Sequence, residues 1–327
     1  MQDQLGRQID YLRISITDRC NLRCRYCMPQ DLPFIPHEEI LRYEEIVRLC
    51  AIAAQLGVRT LKVTGGEPLV RKGCTGLMRA LKALPGIEHV TLTTNGVLLG
   101  EHLSALAELG VDGINISLDT LDRETYRRIT GQDALPQVLA GLYEAVRLGL
   151  KVKLNCVPLA ESGLPGLLAL PGLLALAGLA ARYPVDVRFI ELMPIGHGQD
   201  LAPLEQGRVE RAVLEAWPDL VPTKECRGYG PARYYLSPAF QGAVGFIDAV
   251  SHSFCADCNR VRLTSEGYLK LCLCYGDGLD LRALLRGGAG DAELKAAMEA
   301  AILGKPARHS FGERRTGETR NMSQIGG

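Results

Sequence analysis

The sequence predicts an α/β fold, an incomplete (β/α)6 TIM-like barrel followed by a C-terminal extension. Three observations lead there. Six short runs rich in β-branched and aliphatic residues recur through the first two thirds of the chain: 12–17 (LRISIT), 60–64 (TLKVT), 89–94 (HVTLTT), 113–118 (GINISL), 151–157 (KVKLNCV) and 186–192 (DVRFIEL). Helix-length stretches at 43–56, 76–84, 100–109, 135–148 and 164–182 lie between them. Alternation of strand and helix at this spacing builds βαβ crossovers and a parallel sheet. No run is followed by G-x-G-x-x-G, so a barrel is favoured over a dinucleotide-binding sheet.

Each strand run ends in a polar motif. Cysteines follow the first, Gly65-Gly66-Glu67 the second and Thr93-Thr94-Asn95 the third. Ser117-Leu118-Asp119 closes the fourth, Asn155 the fifth and Glu191-Leu192-Met193 the sixth. Barrel sites form at the C-terminal ends of strands, so these motifs are expected on one rim. The 164–182 stretch is long and apolar enough to suggest a membrane span. It holds Pro165 and Pro171, repeats LPGLLAL, and lies between two strand runs. Those features favour a buried helix instead. After residue 195 the pattern loses its regularity, with a breaker at 228–231 and a last long helix near 291–303. A boundary near 220 is expected, giving 1–220 as the barrel and 221–327 as a C-terminal domain.

Lys+Arg and Asp+Glu are both 37 in a chain of 327 residues. This balance carries no global signature for nucleic acid or an anionic membrane. An anionic ligand would have to be met by a local cluster of cations. The opening MQDQLGRQIDYLR has no apolar signal segment, so a cytoplasmic location is expected. The 11 cysteines then read as metal or redox ligands rather than disulfides.

Cys20-x3-Cys24-x2-Cys27 places three thiols within eight residues. Three thiolates can hold a [4Fe–4S] cube and leave one iron open, whereas electron-transfer cubes use four. Structural zinc also asks for four ligands, and His37 is a poor fourth. CNLRCRYC resembles the signature of radical S-adenosylmethionine enzymes. The GGE at 65–67 is similar to that superfamily's motif for the methionine amino group.

Cys255-x2-Cys258-x13-Cys272 supplies three more thiols, and Cys274 could be a fourth. Spacing alone leaves zinc and a second cluster evenly matched. Asn259, Arg260 and Arg262 crowd positive charge beside Cys258, which favours a cluster with an open position. FCADCNRVRLTSEGYLKLCL at 254–273 is similar to the C-terminal cluster of the GTP 3′,8-cyclase family. SITDRCNLRCRYCMP, LKVTGGEPLVR, TLTTNG, INISLDTL, RFIELMPIG and the terminal NMSQIGG carry the resemblance over nearly the whole chain.

The resemblance implies a C-terminal iron–sulfur extension, two [4Fe–4S] clusters and S-adenosyl-L-methionine. It implies conversion of GTP to 3′,8-cyclo-7,8-dihydro-GTP, early in molybdenum cofactor biosynthesis. Cys20, Cys24 and Cys27 would hold the first cluster, and Cys255, Cys258 and Cys272 the second. Tyr26, Gly66, Ser117 and Met193 would contact S-adenosylmethionine. Arg13, Lys62, Thr93, Lys153, Arg260 and Arg262 would contact GTP, with Arg188 assisting. Arg13, Arg260, Arg262 and a mobile Gly326-Gly327 tail would serve catalysis. Expected partners are GTP, a reductant, a downstream pyranopterin-forming enzyme and a second copy of the chain in a homodimer, with no nucleic acid and no membrane. The chain departs from the family's pattern at Lys62 (often arginine), Gly73-Cys74, the LPGLLAL repeat and Cys274. The rival readings are a radical enzyme that modifies peptides through an auxiliary cluster, and a zinc-stabilised binding protein.

Overall fold

The computed structural model describes residues 1–28, 34–160, 170–313 and 318–326. Strands β1 (Tyr11–Ser15), β2 (Thr60–Thr64), β3 (His89–Thr94), β4 (Gly113–Ser117), β5 (Val152–Cys156) and β6 (Val185–Ile190) pair in parallel in that order. Helices α1 (Tyr43–Gln55), α2 (Cys74–Lys82), α3 (Leu99–Glu108), α4 (Arg123–Thr130), α5 (Leu135–Arg147) and α6 (Leu170–Arg182) connect them. The six strand runs read from the sequence are thus present, each within about two residues. β1 stops at Ser15 and β6 at Ile190, earlier than expected, because the chain leaves the ladder for the rim loops. Helix α4 was not anticipated. Asp122 caps it, accepting from the Thr125 amide at 2.8 Å, and Gly131 ends it at φ 75°.

Strand alternation sets the two faces. Leu12, Ile14, Leu61, Val63, Leu92, Ile114, Ile116, Leu154 and Val187 are essentially unexposed and pack outward into the core. Each such side chain contributes about 1.5–3 kcal/mol of burial. The alternate positions, Tyr11, Arg13, Lys62, Thr93, Asn115, Lys153, Asn155 and Arg188, carry polar groups on the other face. Helix α6 packs against β6 with Leu173, Leu176, Ala177, Leu179 and Ala180 buried. Residues 164–169 of the apolar stretch lie outside the described residues. No helix among the described residues is long and apolar enough to cross a membrane.

The irregular-looking remainder contains α7 (Gln206–Ala216) and strands β7 (Val221–Thr223), β8 (Arg233–Leu236), β9 (Val244–Ile247), β10 (Arg260–Leu263), β11 (Tyr268–Lys270) and β12 (Gly278–Asp280). It closes with α8 (Leu281–Arg286), α9 (Asp291–Leu303) and the short α10 (Met322–Ile325). β9 adds in parallel to β6, and β10 adds in parallel to β1. All twelve strands form one sheet, ordered β12-β11-β10-β1-β2-β3-β4-β5-β6-β9-β8-β7. The extension therefore flanks the six-stranded barrel on both edges. These strands of three or four residues were missed because so short a run carries little periodicity.

Glu45 ties α1 to α8. Its carboxylate accepts from the Arg42 amide at 2.7 Å and from Arg286 twice at 3.0 Å. Burial alone would raise its pKa, but the hydrogen bonds from Arg286 and Arg42 outweigh it and hold the group at about 2. A depressed carboxylate stabilises the fold above its unfolded value and loses that contribution as pH falls toward its folded value. Glu45→Gln should cost about 2 kcal/mol near neutrality, discounted for the part-exposed arginine. The gap in thermal midpoint between variant and parent should close as pH falls from about 4.5 to about 2.

Candidate functional site

The loop leaving β1 carries the first cysteine group. Gly65 and Gly66, which follow β2, let a second loop lie directly on it. A Cβ on Gly65 would stand 2.6 Å from the Thr17 carbonyl oxygen, and one on Gly66 2.5 Å from that of Arg19. The Gly66 amide donates to Thr17 at 2.7 Å and the Glu67 amide to Arg19 at 2.8 Å. Glu67 is wholly buried and binds the third loop, accepting from Thr94 Oγ1 at 2.8 Å and the Asn95 amide at 2.6 Å. Asn95 Nδ2 then donates to Asn21 Oδ1 at 2.8 Å and toward Cys20 Sγ at 3.7 Å. Three motifs that are distant in sequence thereby fix one cysteine loop. Gly66→Ala should displace the Thr17–Cys20 backbone and cost roughly 1–3 kcal/mol. Iron bound per chain after reconstitution should fall with it.

Cys20 and Cys27 lie close enough to raise the pKa of Cys24, and Cys20 that of Cys27. Burial, the larger cause, pushes Cys20 up to about 11 and Cys27 up to about 12, and lifts Cys24 well above its ordinary range. Tyr26 donates to Asp119 Oδ2 at 2.8 Å. Asp119, whose carboxyl burial raises to about 6, also accepts from the Val157 amide at 2.9 Å. Tyr26, Ser117, Asn95 and Asp119 line a small recess beside Cys24. Met193 is not among the residues lining that recess; it packs on a cluster of Ile195, Cys274, Phe311 and Ile325, the last in the C-terminal tail.

Below this rim the inward strand positions enclose a cavity of about 620 Å³. Arg13, Lys62, Thr93, Lys153, Arg188 and Arg260, all picked out from the sequence, line it. Register explains the convergence. Arg13 pairs with Lys62 on one side and Arg262 on the other, and Tyr11 pairs with Arg260. Lys62 is buried, and its pKa is pushed well below normal by burial and then by Arg188, Arg13, Lys153 and Arg260. Arg188 is held by amides, donating to Asn155 Oδ1 at 2.9 and 2.6 Å and to Asn115 Oδ1 at 2.7 Å. Among the described residues neither Lys62 nor Arg188 has a carboxylate within ion-pair distance. Lys153 differs: it pairs with Asp186 at 2.9 Å and donates to Tyr234 at 3.1 Å and to the Arg227 carbonyl. Arg227 shares Asp186 at 2.8 Å. Such a clustered excess of desolvated cations is costly without an anion.

The second cysteine group lies at the opposite end of the barrel. Cys258 leads directly into Arg260, which pairs with Tyr11 at the start of β1, while Cys20 follows the end of β1. The rise of β1 between those ends is about 13 Å. Arg7, buried and paired with Asp3 at 2.6 Å, donates to the carbonyls of Cys255, Lys305, Pro306 and Ala307 at 2.8–3.1 Å. Lys305 is buried beside Cys258 and Cys272. Burial raises the Cys258 pKa, but Lys305 and Arg260 outweigh it and lower the thiol overall. Arg7 and Lys305 were missed in the sequence because no local motif surrounds them, and Asp119 was read only as part of a strand-end motif, without its bond to Tyr26. Cys274 is fully buried with apolar neighbours and accepts from the Ser310 amide at 3.4 Å.

The C-terminal segment reaches the upper rim. Arg262 Nη1 donates to the Gly326 carbonyl at 2.6 Å, and the Ser323 amide stands beside Cys27. Gly326 has φ 75° and lies against Ser15 and Thr64 at the ends of β1 and β2. Gly327 lies outside the described residues.

A family model described as the radical SAM superfamily matches residues 14–162, and one described as Molybdenum Cofactor Synthesis C matches 185–311. A GTP 3′,8-cyclase of Moorella thermoacetica is 45% identical, with 100% of both chains covered. A GTP 3′,8-cyclase of Clostridium perfringens (strain SM101) is 40% identical over the same full coverage. The chain belongs to the GTP 3′,8-cyclase family. The crystal structure of Streptococcus suis SuiB shares the fold, with a TM-score of 0.63 at 15% identity, covering 92% of this chain and 67% of that one. As a member of the radical SAM superfamily, the chain takes a [4Fe–4S] cluster and S-adenosylmethionine. Its upper rim fits them: three neighbouring thiols, which burial keeps protonated by themselves, would ionise as ligands to iron.

Proposed function

We propose that the chain converts GTP to 3′,8-cyclo-7,8-dihydro-GTP inside the barrel. The observation that carries this reading is one cavity lined by Arg13, Lys62, Lys153, Arg188 and Arg260, in which the buried Lys62 and Arg188 meet no carboxylate among the described residues. A triphosphate supplies the negative charge that these two lack. When bound, the first cluster and S-adenosylmethionine would supply the radical chemistry for hydrogen abstraction from the ribose. Cys20, Cys24 and Cys27 hold that cluster, and Tyr26, Gly66, Ser117 and Met193 orient S-adenosylmethionine. Cys255, Cys258 and Cys272 hold a second [4Fe–4S] cluster at the far end of the cavity.

Arg13, Lys62, Lys153 and Arg188 bind the triphosphate, with Thr93 alongside. Lys153 exchanges Asp186 for phosphate as the substrate enters. Arg260 and Arg262 orient the nucleotide from β10, between the second cysteine group and the tail. Gly326 completes the wall and excludes water while the ribose carbon closes onto guanine C8, and Gly327 acts with it in catalysis. A reductant supplies electrons, and a downstream pyranopterin-forming enzyme consumes the product. Division near residue 220, a homodimer and a cytoplasmic location complete the proposal.

The test is anaerobic reconstitution with iron and sulfide, followed by S-adenosylmethionine, reductant and GTP. A cyclised guanine nucleotide with one 5′-deoxyadenosine per product is expected. Formation of 5′-deoxyadenosine with GTP left unchanged would overturn the substrate assignment and favour the peptide-modifying alternative.

A further inference from the structure

One buried ion pair stands outside the machinery assigned above. Lys270 on β11 has no exposed surface, and its ammonium meets the Glu318 carboxylate, itself only 1% exposed. Lys270 also donates to the Tyr275 carbonyl. Arg320, two residues along, donates its amide to Glu318 Oε1 at 2.8 Å, and its guanidinium stands 4.7 Å over the ring of Tyr268 on β11. Removing charges of this kind from water is expensive, and a buried pair often adds little stability over an apolar replacement. Its best-attested use is to fix register.

The register here is that of the C-terminal tail. Lys270 and Arg262 are cross-strand neighbours on antiparallel β11 and β10. Lys270 grips Glu318, and Arg262 grips the Gly326 carbonyl at 2.6 Å. The tail is thus held at two points by adjacent cations. Between these points Asn321 caps α10 and lies against Gly196, where a Cβ would stand 2.5 Å from Asn321 Oδ1. The Ser323 amide reaches Cys27 on the same span. Releasing Glu318 would free the segment that places both contacts.

We propose that Lys270 and Glu318 are positioning residues for the C-terminal tail, setting where Gly326 meets Arg262. The consequence for cyclisation rests on the GTP reading above, whereas tail placement does not. The experiment uses the full chain carrying its iron–sulfur clusters. Hydrogen exchange at residues 320–326 is measured without substrate, and the ratio of cyclised nucleotide to 5′-deoxyadenosine is measured with it.

In Glu318→Gln, tail amides should exchange at least tenfold faster and the product ratio should fall at least tenfold, with 5′-deoxyadenosine formation within twofold of the parent. Lys270→Met/Glu318→Leu removes both charges of the pair, leaving the part-exposed Arg320, 3.6 Å from Glu318 in the parent, to turn to water, and separates folding from placement. It should retain iron content and core protection while losing tail protection to the same degree. Unchanged tail protection in both variants overturns the proposal, as does faster exchange with an unchanged product ratio. A parent enzyme that cleaves S-adenosylmethionine but cyclises no GTP overturns the substrate reading instead, and the exchange comparison still decides the role of the pair.

Discussion

Cys24→Ala should reduce 5′-deoxyadenosine formation to background, a fall of at least about 10³-fold, or roughly 4 kcal/mol of barrier. The reason is positional. Cys24 lies between Cys20 and Cys27 on a loop whose backbone is pinned by Gly66, Glu67 and Asn95. With the loop held this way, no other thiol can move in to replace it. Cys74 and Cys156, buried at 1% and 0% exposure, belong to the packed core. Iron per chain should fall by about four, one cube. Cys50→Ala is the control: its thiol is buried inside α1, and burial alone raises its pKa. That variant should keep its iron and its radical chemistry and lose only about 1 kcal/mol of stability. Radical formation persisting in Cys24→Ala would show that the loop is not the radical-forming centre.

Gly326→Ala should separate radical formation from ring closure. At φ 75° an alanine costs about 1–2 kcal/mol. Its Cβ would stand 2.9 Å from Thr64 Cγ2 and 3.1 Å from Ser15 Cβ, adding roughly 1–3 kcal/mol of overlap. Both strand ends are fixed in the ladder, so the tail must yield. Arg262 then loses its carbonyl partner. The cyclised product should fall about 10²-fold or more, the rate equivalent of about 3 kcal/mol. Iron content and 5′-deoxyadenosine formation should stay close to the parent. Removal of Gly326 and Gly327 together should abolish cyclisation with the cysteine-bound iron intact. Normal turnover in the truncated protein would refute any catalytic part for the tail.

The barrel strands were legible because each carries two independent signals, an outward aliphatic row and a polar motif at its end. Leu12, Ile14 and Arg13 show this within one strand. Four of the cavity cations, Arg13, Lys62, Lys153 and Arg188, were legible for the same reason: a cation inside a β-branched run has few places to go; Arg260 was read from its place beside Cys258. What surrounds the second cysteine group was not. Arg7, Lys305 and Cys255 meet across some 250–300 residues, and nothing near any of them in sequence marks the contact. Lys153 shows a subtler gap. Its inward direction follows from strand period, but Asp186 occupies the next strand at the same level, and register alone decides that they pair. Glu67 was read through the glycines beside it, whereas its side chain proved to tie its own loop to the one that follows β3, while its backbone amide reaches Arg19.

The addition of β10 to β1 has a bearing on synthesis. Arg13 meets its neighbour Arg262 only after about 250 further residues have been made. At a ribosomal pace of roughly 5–20 residues per second, that wait is on the order of tens of seconds. Through it, the nascent polypeptide presents a bare strand edge on β1, and a second on β6 until β9 emerges. Birth of this protein therefore has an interval in which a chaperone, or an error in assembly, can reach the sheet before its own last third does.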